Sequence, residues 1–250
     1  MGYKNKRIII IISLLVLLLS GCGKDKNWTG LGEKQETVAL LLVVGGLGDQ
    51  GYNDLAFEGA KKAEAEFGIK VDYAEPKQIS EFELILRDFA ISQEYSVIIG
   101  VGFDQVDAMN KVVEEFPEQK FAIIDGNVDK ENVVSYSFKE EEGAFLVGAI
   151  AGLMTKDDSN YEIAGKKIGF VGAMEIPILV KFEAGYIAGA KYVNPEVGVE
   201  VGWISGDNPF SDTTTAKEIA LSQKNKDVGI VYHAAGGSGL GVFQAASESG

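Results

Sequence analysis

From Thr37 onward the chain alternates short apolar runs with longer segments whose apolar residues recur every three or four positions. Thr37 to Val44 is almost continuously apolar and ends in glycines, as a strand buried on both faces does. Asn53 to Phe67 follows with Leu55, Ala56, Ala60, Ala63 and Phe67 on one predicted helix face. Gly68 stops that helix, and Ile69 to Tyr73 predicts a second strand. Ser80 to Ser92 predicts a helix with Phe82, Leu86 and Phe89 inward, and Ser96 to Val101 a strand. Gln105 to Phe116 predicts a helix ended by Pro117, followed by strands at Lys120 to Asp125 and Val133 to Tyr136. Strands alternating with helices of this length mean βαβ units and a parallel sheet, with helices on both faces.

The pattern then restarts. Glu142 to Met154 is a helix rich in small residues, suited to close packing on a sheet. Beyond a polar loop, Asp157 to Gly165, come a strand (Lys167 to Val171), a helix (Ile178 to Val193) and a strand (Val199 to Ile204). A helix (Asp212 to Gln223), a strand (Asp227 to His233) and a helix start (Gly239 to Glu248) complete the series. Two βαβ-rich halves thus meet near residues 134–141, predicting one lobe over 37–136 and a second over 137–250. The second half shows fewer strands than the first, so the chain is expected to be shorter than its relatives, with an incomplete second lobe.

The first 36 residues follow different rules. Lys4, Lys6 and Arg7 precede a twelve-residue apolar run, Ile8 to Leu19, which is too short to span a bilayer. Leu19-Ser20-Gly21-Cys22 resembles the bacterial lipobox, in which the cysteine is acylated and becomes the first mature residue. Residues 1–21 therefore read as a lipoprotein signal peptide, Cys22 as the lipidation site, and residues 22–36 as a flexible polar tether. The expected location is the extracytoplasmic side of the cell membrane, through a lipid anchor. One cysteine and one histidine exclude a disulfide framework and His- or Cys-rich metal sites. A net charge of −14 argues against a nucleic-acid partner, which needs a basic surface.

Gly46-Leu47-Gly48-Asp49-Gln50-Gly51 fits G-x-G-x-x-G after a strand, and Asp72 lies where a ribose-binding acid would. Asp49 places a carboxylate inside that loop, where it would repel a pyrophosphate. Asn53 or Asp54 reads as the helix N-cap, so the glycines precede the helix. An exported protein also meets little dinucleotide. No cofactor is expected.

The segment Asp49-Gln50-Gly51-Tyr52-Asn53 with Phe57-Glu58-Gly59 resembles the signature of the basic membrane protein (BMP) family. These are lipoproteins of the purine nucleoside receptor type, the substrate-binding components of ABC transporters. Similar blocks follow at Val97 to Phe103, Phe121 to Asp125, Glu142 to Gly148, Ile168 to Ala173, Phe182 to Tyr186 and Ala234 to Gly241. Gly51 departs from the family, which usually has Ser there. The resemblance implies an α/β type I periplasmic-binding-protein fold: two Rossmann-like lobes with parallel sheets, closing by a hinge on a ligand held between them. It further implies an ABC permease as partner and a purine nucleoside as ligand. Asn53 and Asp125 are implied as readers of the base, and Phe57 as an aromatic cover.

The residues themselves allow these roles and others. Asp49 and Asn53 either cap a helix or face a ligand, and Asp125 is a strand-end acid. Phe57 and Phe182 are helix residues that serve either the core or a stacking platform. Phe210 lies in a loop where core burial is less natural, and Gly237 offers a backbone N–H to a ligand. His233, Trp203 and Tyr232 read as structural, and Lys139 to Glu142 as a solvated helix N-terminus. Two other functions stay open. One is a surface lipoprotein of the same fold that binds a sugar, an autoinducer-like molecule or a host partner. The other is an exported enzyme, for which no paired-acid or Ser/His/Asp pattern stands out.

Overall fold

A computed structural model of the protein describes residues 35–156, 163 and 165–249. The predicted signal peptide, Cys22 and nearly all of the predicted tether lie outside these residues, as does most of the Asp157 to Gly165 loop. Five strands, β1 (Thr37–Leu41), β2 (Lys70–Ala74), β3 (Val97–Val101), β4 (Phe121–Ile124) and β5 (Val133–Tyr136), form one parallel sheet ordered β2-β1-β3-β4-β5. Three more, β6 (Lys167–Gly172), β7 (Gly198–Trp203) and β8 (Val228–Ala234), form a second parallel sheet ordered β7-β6-β8.

The unbroken apolar runs are explained by burial on both faces. In β1, Ala39 and Leu41 point into a core with Phe82, Leu86, Ile98, Met109 and Phe121. Val38, Leu40 and Leu42 point the other way, onto Ala56 and Ala60 of helix α1 (Tyr52–Phe67). Helices α2 (Phe82–Ser92) and α3 (Val106–Glu115) supply the first of these faces. Each fully buried Leu, Ile or Phe contributes roughly 1.5–3 kcal/mol. The strand predicted to reach Val44 stops at Leu41, because the chain turns there into a loop with Gly45 and Gly46 at positive φ. Leu55 and Phe67, expected inward, are 66% and 69% exposed. The small Ala56 and Ala60 are the residues that meet the sheet.

Both sheets use the same polar latch. Gln105, fully buried, donates from Nε2 to the carbonyls of Leu41, Leu42 and Val101 at 2.8–3.2 Å. Gln223 of α6 (Thr213–Lys224) donates likewise to Phe170 and Glu200 at 2.9 and 3.2 Å. Each brings a polar side chain from a helix onto the backbone carbonyls of two neighbouring strands.

Helix α4 (Glu140–Met154) corrects another expectation. It packs closely on helix α5 (Pro177–Val193), where a sheet contact was expected. A Cβ on Gly148 would sit 1.9 Å from the Tyr186 carbonyl oxygen, and one on Gly152 2.5 Å from that of Ala190. From the other helix, a Cβ on Gly185 would reach the Glu141 carbonyl at 2.3 Å, and one on Gly189 that of Phe145 at 1.9 Å. The two backbones are therefore in direct contact from Glu141 to Gly152 on α4 and from Gly185 to Ala190 on α5. The second core forms beneath, where Phe170 meets the Trp203 and Tyr232 rings at 5.5 and 6.0 Å. Helix α7 (Leu240–Ser249) follows a 3₁₀ turn at Gly236–Gly239.

This interlock makes a contrast testable. Gly148→Ala must force the helices apart and is expected to cost about 1–3 kcal/mol in urea unfolding. Gly59→Ala, in α1 with open space around it, is expected to gain about 0.5–1 kcal/mol from helix propensity.

Candidate ligand-binding site

The loops that leave the carboxyl ends of the two sheets meet each other, and Asp49, Phe210 and Gly237 sit there. Between β1 and α1 the Gly-rich loop is held by its own acids. Glu75 Oε2 accepts from Leu47 N–H at 2.8 Å, and Asp54 accepts from the N–H groups of Gly48 and Gln50 at 2.8 Å. Asp49 accepts from Gly51 and Asn53 N–H, both at 2.9 Å. Those amides are the ones a dinucleotide pyrophosphate would need, and carboxylates already occupy them. Capping of α1 falls to Asp49, outside the helix, and not to Asn53 or Asp54, which lie within it. Asn53 is buried, and its Oδ1 accepts from Val43 N–H at 3.0 Å, tying the end of β1 to the helix.

Asp125, just past β4, adopts a left-handed backbone with φ 59°, a conformation that Asp tolerates better than most residues. Its Oδ2 accepts from the Tyr52 hydroxyl at 2.7 Å. Its Oδ1 is buried without a hydrogen-bond partner. Burial raises this carboxyl above its ordinary range; the Tyr52 bond lowers it, Glu140 raises it and Lys181 lowers it. Tyr52 is held strongly protonated, first by burial, then by its bond to Asp125 and by the charges of Asp125, Asp104 and Glu140.

Asp104, in the 3₁₀ turn Phe103–Gln105 after β3, was not anticipated as a site residue. Its Oδ1 is also buried and unpartnered, and burial pushes the carboxyl up to about 6. The available signal was its place two residues beyond Gly102 at a strand end. Glu140, expected to be solvated, is instead buried and accepts from Lys181 Nζ at 3.0 Å.

Across the seam, Phe210 faces Phe103 with ring centroids 6.4 Å apart. Its carbonyl accepts from Ser238 N–H at 3.0 Å, which joins the loops after β7 and β8. A Cβ on Gly237 would lie 3.9 Å from Asp49 Cβ, so those two predicted residues are neighbours. Phe182 is half-buried and packs against both clusters of the second core. Phe57 pairs with Tyr73 at 4.7 Å, with Lys61 Nζ 5.4 Å from its ring, all within the first lobe. His233 packs edge-on to Phe243 at 5.3 Å, its Nδ1 buried without a partner, and burial keeps the ring neutral. Two surface grooves, one beside Glu200 and Glu218 and one between Phe145 and Ala188, contain none of the predicted residues. Among the described residues no group of His, Cys, Asp and Glu is arranged to hold a metal ion, and no helix is long and apolar enough to cross a membrane.

Two parallel α/β layers with facing strand ends define the class: the type I fold of periplasmic solute-binding proteins. A crystal structure of an ABC transporter solute-binding protein from Aeropyrum pernix K1 shares it. Its TM-score is 0.76 at 34% identity, over 86% of this chain and 59% of that one. Residues 36–250 match the Bmp family, described as ABC transporter substrate-binding protein PnrA-like, and the chain belongs to that family. It is 36% identical to an uncharacterized lipoprotein of Pyrococcus abyssi, over 94% of this chain and 58% of that protein. It is 31% identical to the ABC transporter nucleoside-binding protein BmpA of Lactococcus lactis subsp. cremoris, over 97% of this chain and 68% of that one. The chain thus spans about three fifths of the Pyrococcus relative's length.

Asp104 generates a pH test. Its carboxyl rises from an ordinary 3.8 to about 6 on folding. As pH rises, the unfolded chain gives up this proton first, so stability falls through that window and the full cost is present above it. Asp104→Asn is expected to be more stable than the parent at neutral pH by about 2–3 kcal/mol. The difference should vanish in urea melts at about pH 3.5.

Proposed function

We propose that this protein is the lipid-anchored solute-binding component of an ABC importer, and that it binds a purine nucleoside between its two lobes. The observation that carries the ligand reading is Asp125. A buried carboxylate oxygen with no protein partner is costly, and a ligand N–H or O–H donor would satisfy it with the stronger, charge-assisted kind of hydrogen bond. Phe103 and Phe210 add flat apolar surface at the same seam, as a base requires. Asp104, Asp125 and Glu140 gather acidic charge around Tyr52, which favours a neutral ligand over a phosphorylated one. The Lactococcus relative's description as a nucleoside-binding protein points the same way. Closure of the lobes on the ligand is the whole mechanism, with no chemical step. In this reading Asn53 lends its amide, Gly237 its backbone, and Phe57 and Phe182 border the ligand. Asp49 shapes the loop that holds them.

Calorimetry with adenosine, inosine, AMP, ribose and glucose tests the ligand. Nucleosides are expected to bind, and Asp125→Ala is expected to weaken them about 10–100-fold, the worth of a hydrogen bond to a charged group. Binding of AMP without nucleosides would overturn this reading, and preference for glucose or ribose would replace it with a sugar receptor. The anchor is tested separately by detergent-phase partitioning. The parent is expected in the detergent phase and Cys22→Ser in the aqueous phase, and equal partitioning would rule out lipidation at Cys22.

A further inference from the structure

Ser238 is fully buried in the 3₁₀ turn after β8, yet its hydroxyl reaches the loop after β7. Its Oγ donates to the Pro209 carbonyl at 2.8 Å and accepts from Asp212 N–H at 2.7 Å. Its own N–H is shared between the carbonyls of Phe210 at 3.0 Å and Ala235 at 3.1 Å. The bonds to residues 209, 210 and 212 bracket Phe210. One end of the bracket is fixed further, because the Asp212 side chain caps α6 through Thr215 N–H at 2.9 Å and Thr215 Oγ1 at 2.6 Å. On the other side the chain is exposed from Ser205 to Asn208, with Ser205 and Gly206 at positive φ. The half-buried ring inside the bracket faces two ways. Within its own lobe its Cδ1 lies 3.5 Å from where a Cβ on Gly236 would be. Across the seam it meets Phe103 at 6.4 Å.

We propose that Ser238 is a positioning residue of the ligand site: its hydroxyl and N–H hold the backbone on both sides of Phe210 and so aim that ring across the seam, where it forms an aromatic wall for the ligand. Removing a buried hydroxyl that bridges one carbonyl and one N–H strands both groups. The segment around Phe210 then loses its bracket next to an exposed stretch of loop, and the ring is no longer held to one direction. This inference rests on the reading of Phe210 as part of the ligand site.

Four proteins test it: the parent, Ser238→Ala, Phe210→Ala and the double variant. With adenosine as the calorimetric probe, Ser238→Ala is expected to bind about fivefold more weakly than the parent, the size of one neutral hydrogen bond. In the Phe210→Ala background there is no ring to aim, so the same change is expected to cost nothing further. A merely structural role, or one exercised through the Gly237 backbone, would weaken both backgrounds equally. That result overturns the proposal, as does a Ser238→Ala protein with the parent's affinity. Without any ligand, the contact between the Gly236 α-protons and the Phe210 ring is followed by the nuclear Overhauser effect. This contact lies within the second lobe, so opening of the lobes leaves it intact, and loss of the hydroxyl weakens it only if the ring moves. It is expected to disappear in Ser238→Ala, and its persistence at parental strength overturns the proposal. If the parent binds no adenosine but the contact is lost in Ser238→Ala, the nucleoside reading fails and the positioning of Phe210 stands. Where Ser238→Ala does not fold, Ser238→Cys keeps a weak donor and acceptor at the same place and carries the same expectations in direction.

Discussion

The close approach of α4 and α5 is the constraint on which most of the site depends. Four glycines remove the Cβ atoms that would otherwise hold two helices apart, so carbonyl oxygens of each backbone lie against the Cα atoms of the other. Close packing of this kind multiplies small dispersion terms over many atoms and permits few alternative registers. Helix α4 follows the last strand of the first sheet, and α5 follows the first strand of the second. Their register therefore determines what the start of each helix presents to the strand ends. Glu140 at the beginning of α4 and Lys181 in the second turn of α5 come within 3.0 Å because of it. A slip of one turn would carry the two charges about 5.4 Å apart along the axis and leave a buried carboxylate alone.

The sheets impose a complementary demand. Parallel strands covered on both faces have no water to satisfy stray backbone groups, so polar side chains must reach into the core from nearby helices. Gln105 does this at the strand ends of the first lobe and Gln223 in the middle of β6 and β7 in the second. Their neighbours give way accordingly: a Cβ on Gly100 would lie 2.7 Å from Gln105 Oε1, and one on Gly169 2.4 Å from Gln223 Oε1. Gln105 bonds to the carboxyl ends of β1 and β3, so in the first lobe core satisfaction and placement of the strand-end loops are one problem.

The alternation of strands and helices was legible in the sequence because double-sided burial leaves little choice of residue in β1, β3, β4 and β6. Helix faces were less legible where small and large apolar residues compete. In α1 the alanines face the sheet and Leu55 and Phe67 face solvent, the reverse of what size suggests. The glycines and alanines of α4 correctly signalled close packing, but composition does not say whether a sheet or another helix is the partner. Acidic residues carried the same ambiguity. Asp49, Asp54, Asp104, Asp125 and Glu140 are all carboxylates in the sequence, yet two tie down a loop, two keep a buried oxygen without a partner and one holds a lysine. What separates them is tertiary: the number of N–H groups within reach and the water that remains. Hence Asp125 could be named from its strand end, while Asp104, two residues beyond one, and Glu140 were distinguished only by burial.

Those acids also explain why a Gly-rich loop after a first strand need not hold phosphate. In a phosphate-binding loop the backbone N–H groups stay free for the anion. Here the N–H groups of residues 47, 48, 50, 51 and 53 are each claimed by a carboxylate of the chain itself. The loop's positive potential is spent internally, and the remaining charge at the strand ends is acidic. Lys181, the cation that acts on Asp125, is bound to Glu140. An anion arriving at this seam would find those five amides already claimed and Lys181 already paired, whereas Asp104 and Asp125 each keep a buried carboxylate oxygen without a protein partner. The glycine spacing allows either outcome; the placement of Glu75, Asp54 and Asp49 decides it.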